Sequence, residues 1–456
     1  MQAEVKKVDI KLVRKKILSM ILPISVERVL QMAAGMISMA MIGRIDTNAV
    51  SALGLGNRIT QIVFALFNGI SIGATVFVSQ SYGAKNDKKL RTVVQQTLIA
   101  SFSIVIILQQ IIFWNSSLIL SIFNPDPELI NSAVSYLRAV SFGLPFQAIM
   151  LIVSGSLQGT GNTRTPMLIS MIMNGINLVL GYIFIFGSFG APRFGIVGAG
   201  ISLAAAQFTA ALIGLIVLFK RNGILHPLRN KSFFKLDLEQ IRDVFRVGLP
   251  SSMESLLFQF AAIILTRAML SFGKVAFAAY QMGMQAESLS YMPAFGFSVV
   301  TTSLVGQCVG SKEPDYGKAY LKEAVKGSIM ITATAAFFLT FFPRQVMGLL
   351  TNDPEVIALG AYYLIIMGIV QIPQNLAGVF GGALRGAGFT KVPMLTAFSG
   401  LWGVRVPFTL IFTYVFHFDI IFIWAAMGMD LIFRFFLSYF LYKRRDIFNT
   451  RTVFEK

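Results

Sequence analysis

The sequence predicts an all-α integral membrane protein with twelve transmembrane helices in two six-helix lobes. The lobes are related by a parallel repeat whose pseudo-two-fold axis runs along the membrane normal. Three observations predict this. First, 55% of the 456 residues are hydrophobic and only 13% are charged, with a mean hydropathy of +0.70; a soluble chain carries about 25% charged residues. Second, long apolar stretches recur, among them 97–122, 167–189 and 327–343 with its neighbours. About 20 such residues cross a hydrocarbon core as a helix. Third, the second half of the chain repeats the first at a constant offset of 227 residues.

In chain order, spans are expected at 17–42, 51–80, 93–118, 129–156, 166–188, 195–219, 244–270, 277–307, 319–343, 356–384, 393–416 and 419–442. The first is too long for a cleavable signal h-region of about 7–15 residues. Connections are short except for the polar segment 220–243. That segment reads as a cytoplasmic linker between an N-lobe, 1–219, and a C-lobe, 244–456. The net charge of +18 is distributed unevenly. Most Lys and Arg fall at the N-terminus and in the even-numbered loops, whereas the opposite loops hold only Arg44, Arg193, Lys274 and Arg344. This positive-inside pattern puts both termini in the cytoplasm and the protein in the cell membrane, among lipids. It also accounts for the basic excess without a nucleic-acid partner.

Other chemistries are excluded by what is scarce. A single cysteine, Cys308, permits no intrachain disulfide, and the two histidines, His226 and His417, fall in expected loops. No Walker-type phosphate loop occurs, and no cofactor is expected.

The repeat is specific. Leu22-Pro23 aligns with Leu249-Pro250, Gln80 and Gly83 with Gln307 and Gly310, and Asp126-Pro127-Glu128 with Asp353-Pro354-Glu355. GSLQGTGNTRTPML (155–168) aligns with GALRGAGFTKVPML (382–395). Shared apolar composition explains common Leu and Phe, but not a common register of Gln, Asp-Pro-Glu and Gly-x-Gly-x-Thr. Six spans per repeat is an even number, so both copies enter from the same side. Parallel repeats of this kind occur in secondary transporters. Facing lobes would leave a central cleft that rocking opens to either side in turn.

The LPxSxE entries, VSQSYG and VGQCVG after spans two and eight, and the paired GxxxGxGxT segments resemble the multidrug and toxic compound extrusion (MATE) family. So do PAFGFSVVTTSLVGQ in span eight and GIVGAGISLAAAQ in span six. The resemblance covers nearly the whole chain. It implies extrusion of organic, often cationic, compounds driven by inward flow of H+ or Na+, and not an enzyme. A flippase for lipid-linked saccharides or another amphiphile is the alternative, but it would favour a strongly cationic cleft and often extra spans.

Four acids lie well inside expected spans: Glu27, Glu254, Glu287 and Asp430. Each costs about 2.5–3.5 kcal/mol at the bilayer centre, so each needs a partner or a task. Asp430 has Arg434 one helical turn away and reads as a structural pair. Glu254 and Glu287 fall on sequential helices, each roughly 15 Å deep at 1.5 Å per residue. The main in-span counter-charge on span seven, Arg267, is about 20 Å from Glu254 along the helix and is a poor partner. These two glutamates are the expected ion-coupling pair, able to take H+, Na+ or an organic cation. The resemblance implies the same, since a span-seven glutamate recurs as a coupling residue in that family. Glu27 is the repeat partner of Glu254 and a candidate second site, whereas the mate of Glu287 is Thr60. The span-one and span-five aspartates of one branch are replaced here by Ser38 and Gly181, and a span-ten aspartate by Gln374. A C-lobe site is therefore favoured. Candidate substrate-lining residues are Gln31, Asn174, Asn177, Gln281, Gln285 and Tyr291. Two lobes already contain a complete pathway, so a monomer is expected.

Overall fold

A computed structural model describes residues 8–44, 47–123, 127–226 and 235–455. Asp126 of the first Asp-Pro-Glu and residues 227–234 of the linker lie outside the described residues. The chain is helical throughout, with no strand among the described residues. In order the helices are α1 (Ile10–Gly43), α2 (Thr47–Gly83), α3 (Asp87–Trp114), α4 (Ser116–Ser121), α5 (Pro127–Ser141), α6 (Leu144–Gly159), α7 (Arg164–Phe186) and α8 (Ile196–Phe219). They continue as α9 (Leu238–Leu270), α10 (Lys274–Ser311), α11 (Pro314–Phe341), α12 (Pro343–Gly348), α13 (Pro354–Gly386), α14 (Lys391–Gly400), α15 (Val406–Tyr414) and α16 (Ile420–Lys443). Among the described residues, eleven helices or continuous helical segments are long and apolar enough to span a membrane. The pair α5–α6, bent by 47°, makes a twelfth if it is one span.

The helix boundaries carry the repeat. The starts of α3 and α11, of α4 and α12, of α5 and α13, and of α7 and α14 are each 227 residues apart. The constant offset extends to unusual backbone. Gly161 and Gly388 both have positive φ (91° and 86°), as do Lys85 and Lys312 (55° and 58°). The Gly-x-Gly segments are thus tight turns after α6 and α13, with a residue free of Cβ where the left-handed region is required.

Proline chemistry explains where the halves diverge. Pro145 follows Gly143, and the helix breaks there into α5 and α6, because proline lacks the N–H and crowds the carbonyl of residue 141. In the second half Val370 stands in place of Gly143, and α13 runs through Pro373 without a break. Span eleven is interrupted differently. Residues 401–405 form a π turn between α14 and α15, just before Pro407, which cannot donate to the preceding turn. Asp353 caps α13, its carboxylate accepting from the backbone N–H of Glu355 (3.0 Å) and Val356 (3.4 Å), with Pro354 at the first helical position.

By internal packing the chain forms two compact units. One contains the chain up to Ser25, Ser79–Lys85 and the chain from Met253; the other contains Val26–Val78 and Asn86–Ser252. α1 and α9 each change unit part-way, after Ser25 and after Ser252, again at equivalent repeat positions. In the first unit, Val13, Ile17, Met20 and Ile24 of α1 form a buried core with Phe297, Val300, Leu304, Val379 and Phe448. A second core joins Tyr363, Met367, Ile423, Trp424 and Met427. In the other unit, Met150, Ile169 and Ala210 are buried together.

Small residues let helices approach closely, the usual device where lipid removes the hydrophobic drive for helix pairing. In one unit Thr75 Oγ1 donates to the carbonyl of Gly155 (3.0 Å). At the equivalent positions in the other, Thr302 Oγ1 donates to Gly382 (3.1 Å). A methyl on Gly386 would meet the Thr302 carbonyl, whereas one on Gly175 would meet nothing within 4 Å. We therefore expect Gly386→Ala to lower stability by about 1–3 kcal/mol. Gly175→Ala should be neutral or gain up to about 1 kcal/mol. Thermal unfolding in detergent checks both.

The C-terminal tail folds back on its own unit. Val453 N–H donates to Gln80 Oε1 (2.7 Å), and Gln80 Nε2 donates to the Gly386 carbonyl (2.8 Å). Ile447, Phe448, Thr452 and Val453 are buried. In the turn before them, hydrogen bonds from Asn449 hold the Asp446 carboxylate below its usual range.

Candidate functional site

Within the unit built on the C-terminal half, α9, α10, α13, α14 and α16 enclose a cavity of about 610 Å³. That is within the range of small-molecule sites, about 300–1,000 Å³. Phe258, Leu265, Met284, Phe295 and Met367 give it apolar walls, while Glu254, Glu287, Arg385, Arg405 and Arg434 bring charge to it. A groove of similar volume beside Phe146 and Phe208 in the other unit is almost wholly apolar and holds no acid.

Each acid of the C-terminal cavity is held by donors from elsewhere in the fold. Arg385 Nη2 of α13 reaches both oxygens of Glu254, at 2.8 and 2.9 Å. This corrects the expectation that Glu254 has no partner. The counter-charge is not Arg267; it comes from the Gly-rich end of another helix, which linear spacing along α9 cannot reveal. Glu287 is buried and accepts from the Tyr363 hydroxyl (2.6 Å) and from Gln374. Tyr363 is itself packed edge-on between Tyr280 and Trp424, which fixes its hydroxyl. Asp430 is fully buried, with Oδ2 bridging Arg405 Nε (2.7 Å) and Arg434 Nη2 (2.8 Å). Arg434 also lies over the Phe258 ring, 5.1 Å from its centroid. The helical i,i+4 pair is legible in the sequence. Arg405 is not, because it enters from the π turn, a local rewinding of the kind often found at functional sites.

Gln285 and Tyr291 line the same cavity as Glu254 and Glu287. Gln281 is exposed and is not part of that lining. The other candidates belong to the second unit, along a polar seam of α1 and α7. There Ser170 donates to Glu27 Oε1 (2.8 Å), Arg28 donates to Gln31 (3.3 Å), and Asn177 Nδ2 lies 3.5 Å from Ser38 Oγ. The Nδ2 of Asn174 is buried with no hydrogen-bond partner among the described residues.

The two halves therefore use the same scaffold differently. Tyr363 and its repeat mate Tyr136 each pack on a glycine of an equivalent long helix, Gly283 of α10 and Gly56 of α2. Tyr363 bonds Glu287, while Tyr136 donates to Asn57 (2.9 Å). Glu287→Gln keeps the shape and the Tyr363 contact but removes the charge. We expect it to change the ion or pH dependence of transport while lowering thermal stability by no more than about 1 kcal/mol. Transport assayed across pH checks this, and an unchanged profile would detach Glu287 from the site.

Comparison with known proteins agrees with this architecture. The MatE family model matches residues 23–183 and 250–411, one match per repeat. The chain is 31% identical over 422 residues to the Probable multidrug resistance protein NorM of Thermotoga maritima, covering 92% of this chain and 90% of the relative. It is 23% identical over 394 residues to the Multidrug resistance protein MdtK of Yersinia enterocolitica, covering 86% of each. Among solved structures, a MOP superfamily transporter from Pyrococcus furiosus superposes with a TM-score of 0.87 at 20% identity, over 95% of this chain and 97% of that one.

Proposed function

Because the chain belongs to the MatE family of multi-pass membrane transporters, which are not enzymes and need no cofactor, we propose that it exports organic compounds, often cationic, by antiport with H+ or Na+. The observation that carries this reading is the C-terminal cavity, where Glu254 and Glu287 meet apolar and aromatic walls large enough for a drug-sized molecule. In the proposed cycle, the ion enters at Glu254 and Glu287 from outside and lowers the affinity for bound cargo. The loaded protein then turns inward, releases the ion and accepts new cargo. Such exchange requires only that ion and cargo favour different states of one site. Glu27, on the equivalent repeat position, is a second ion site in this scheme. Gln285 and Tyr291 contact cargo in the C-terminal half, Gln31, Asn174 and Asn177 in the N-terminal half, and Gln281 at the margin.

The protein acts in this reading as a monomer in the cell membrane, with both termini in the cytoplasm, lipid around it and no nucleic-acid partner. Residues 1–219 and 244–456 serve as its two functional lobes, joined through 220–243, and access alternates between the two sides. A flippase role is not favoured by the family assignment. The test is uptake of a fluorescent organic cation by proteoliposomes under an imposed pH or Na+ gradient, each applied alone. Accumulation driven by either gradient supports the reading, and accumulation independent of both would overturn it.

A further inference from the structure

We infer that Arg385 is a built-in counter-cation of the coupling site: an ion arriving at Glu254 binds by exchange, displacing the guanidinium into the cavity, where its charge drives out an organic cation. This rests on the reading that Glu254 is the coupling residue, and it supplies what that reading lacks, a physical link between ion entry and cargo exit.

Three features of the pair support it. The first is accessibility. Arg385 and Glu254 both face the cavity, with side chains 14% and 17% exposed, whereas Asp430, held by Arg405 and Arg434, is 0% exposed. The Asp430 carboxylate is sealed, although Arg405 and Arg434 line the same cavity at 11% and 12% exposure; the Glu254 carboxylate is open to a solute. The second is the comparison between repeats. Glu27 stands where Glu254 stands, but the residue equivalent to Arg385 is Gln158, and Glu27 is bonded by Ser170 instead. The same helix and Gly-rich turn are thus built with an uncharged residue in one half. The fold does not demand the arginine, which occurs in the half whose glutamate opens on a charged cavity. The third is a place to go. Arg385 Nη1 already lies 3.4 Å from Ser298 Oγ on α10, a cavity-lining hydroxyl that can retain the guanidinium after Glu254 is neutralised.

The charge count sets the direction of the effect. The charged groups that line the cavity with Glu254 are Arg385 on α13, Arg434 on α16, Arg405 on the π turn and Glu287 on α10, with Asp430 buried against Arg405 and Arg434. Asp430 holds Arg405 and Arg434 in place, and H+ or Na+ at Glu254 adds one positive charge to the groups beside the cargo. A unit positive charge several ångströms away, at an effective dielectric near 20, weakens binding of a cation by about ten- to a hundredfold.

The experiment uses purified full-length protein and ethidium as the cationic probe, with binding read by fluorescence anisotropy while Na+ and pH are titrated separately. For Arg385→Gln, ethidium should bind about tenfold tighter in Na+-free buffer at alkaline pH, because Glu254 is no longer occupied. The half-saturating concentration of the coupling ion should fall by a similar factor. Arg385→Lys keeps the charge without the bidentate fork, and should shift both values in the same direction by about threefold. It serves as the deciding variant if Arg385→Gln does not fold. Both values unchanged in a folded variant would overturn the inference. Glu254→Gln separates this failure from the other. Ion-sensitive ethidium binding that survives Glu254→Gln would overturn the coupling role of Glu254 itself. Sensitivity lost in Glu254→Gln but unaltered at Arg385 would overturn only the exchange.

Discussion

Glu254→Gln is expected to reduce ion-driven export by at least about a hundredfold while leaving a folded, membrane-inserted protein. The substitution is nearly isosteric, so the cavity keeps its volume and the amide can still meet Arg385 with one oxygen. What is lost is the charge that an ion or a cationic compound would seek. The carboxylate accepts two hydrogen bonds from Arg385 Nη2, and the side chain is 17% exposed to the cavity. Its removal therefore leaves the guanidinium with access to solvent and to Ser298, not sealed in apolar surroundings. The stability loss should stay near about 1–2 kcal/mol, comparable to a lost charge-assisted hydrogen bond. Efflux and thermal unfolding, measured on the same preparation, distinguish loss of coupling from loss of fold.

The largest effect on stability is expected at Asp430. Its one oxygen bridges two guanidinium groups, Arg405 and Arg434, each about nine-tenths buried, and the carboxylate itself is inaccessible. Asp430→Asn would leave two buried positive charges facing each other without the carboxylate they share. Breaking one partner out of a buried ionic cluster costs about 3–5 kcal/mol, enough to consume much of the stability of a typical fold. Poor recovery of folded protein and a large drop in unfolding temperature are expected. Replacing Asp430, Arg405 and Arg434 together by apolar residues should restore much of the loss, since such clusters are often no more stable than their apolar substitutes. A well-folded Asp430→Asn protein with selectively lost transport would move this residue from scaffold to mechanism.

Most of the fold is legible in the amino-acid sequence, for identifiable reasons. Long apolar runs declare membrane helices because the lipid allows few other backbone arrangements. The offset of 227 carries over to helix boundaries, turn glycines and even paired positive-φ lysines, because duplicated segments meet equivalent local constraints. The short helices α4 and α12 are not legible; six polar and apolar residues after a span carry no periodic signal. Nor is the π turn at 401–405, whose one trace in sequence is Pro407.

The candidate site is legible in its acids and obscure in its bases. A carboxylate in an apolar run is conspicuous, so Glu27, Glu254, Glu287 and Asp430 are all identifiable. Arg385 is hidden because it sits at the end of its helix, in a Gly-rich turn where a basic residue already has a topological explanation. The signal that could find it lies in the repeat itself. GSLQG and GALRG differ by one charge at the position that returns to the glutamate. Tyr363 is hidden for a related reason. It aligns with Tyr136 and looks structural in both halves, and only the contact with Glu287 distinguishes it.

The central claim is that the C-terminal cavity, through Glu254, couples cation entry to export. It is tested most directly by reconstituting the wild-type protein and Glu254→Gln side by side in proteoliposomes. Substrate movement is then recorded under a pH gradient alone and under a Na+ gradient alone. The account predicts that at least one gradient drives transport by the wild type and that neither drives it in the variant. Gradient-driven transport by Glu254→Gln at near wild-type rate would contradict it.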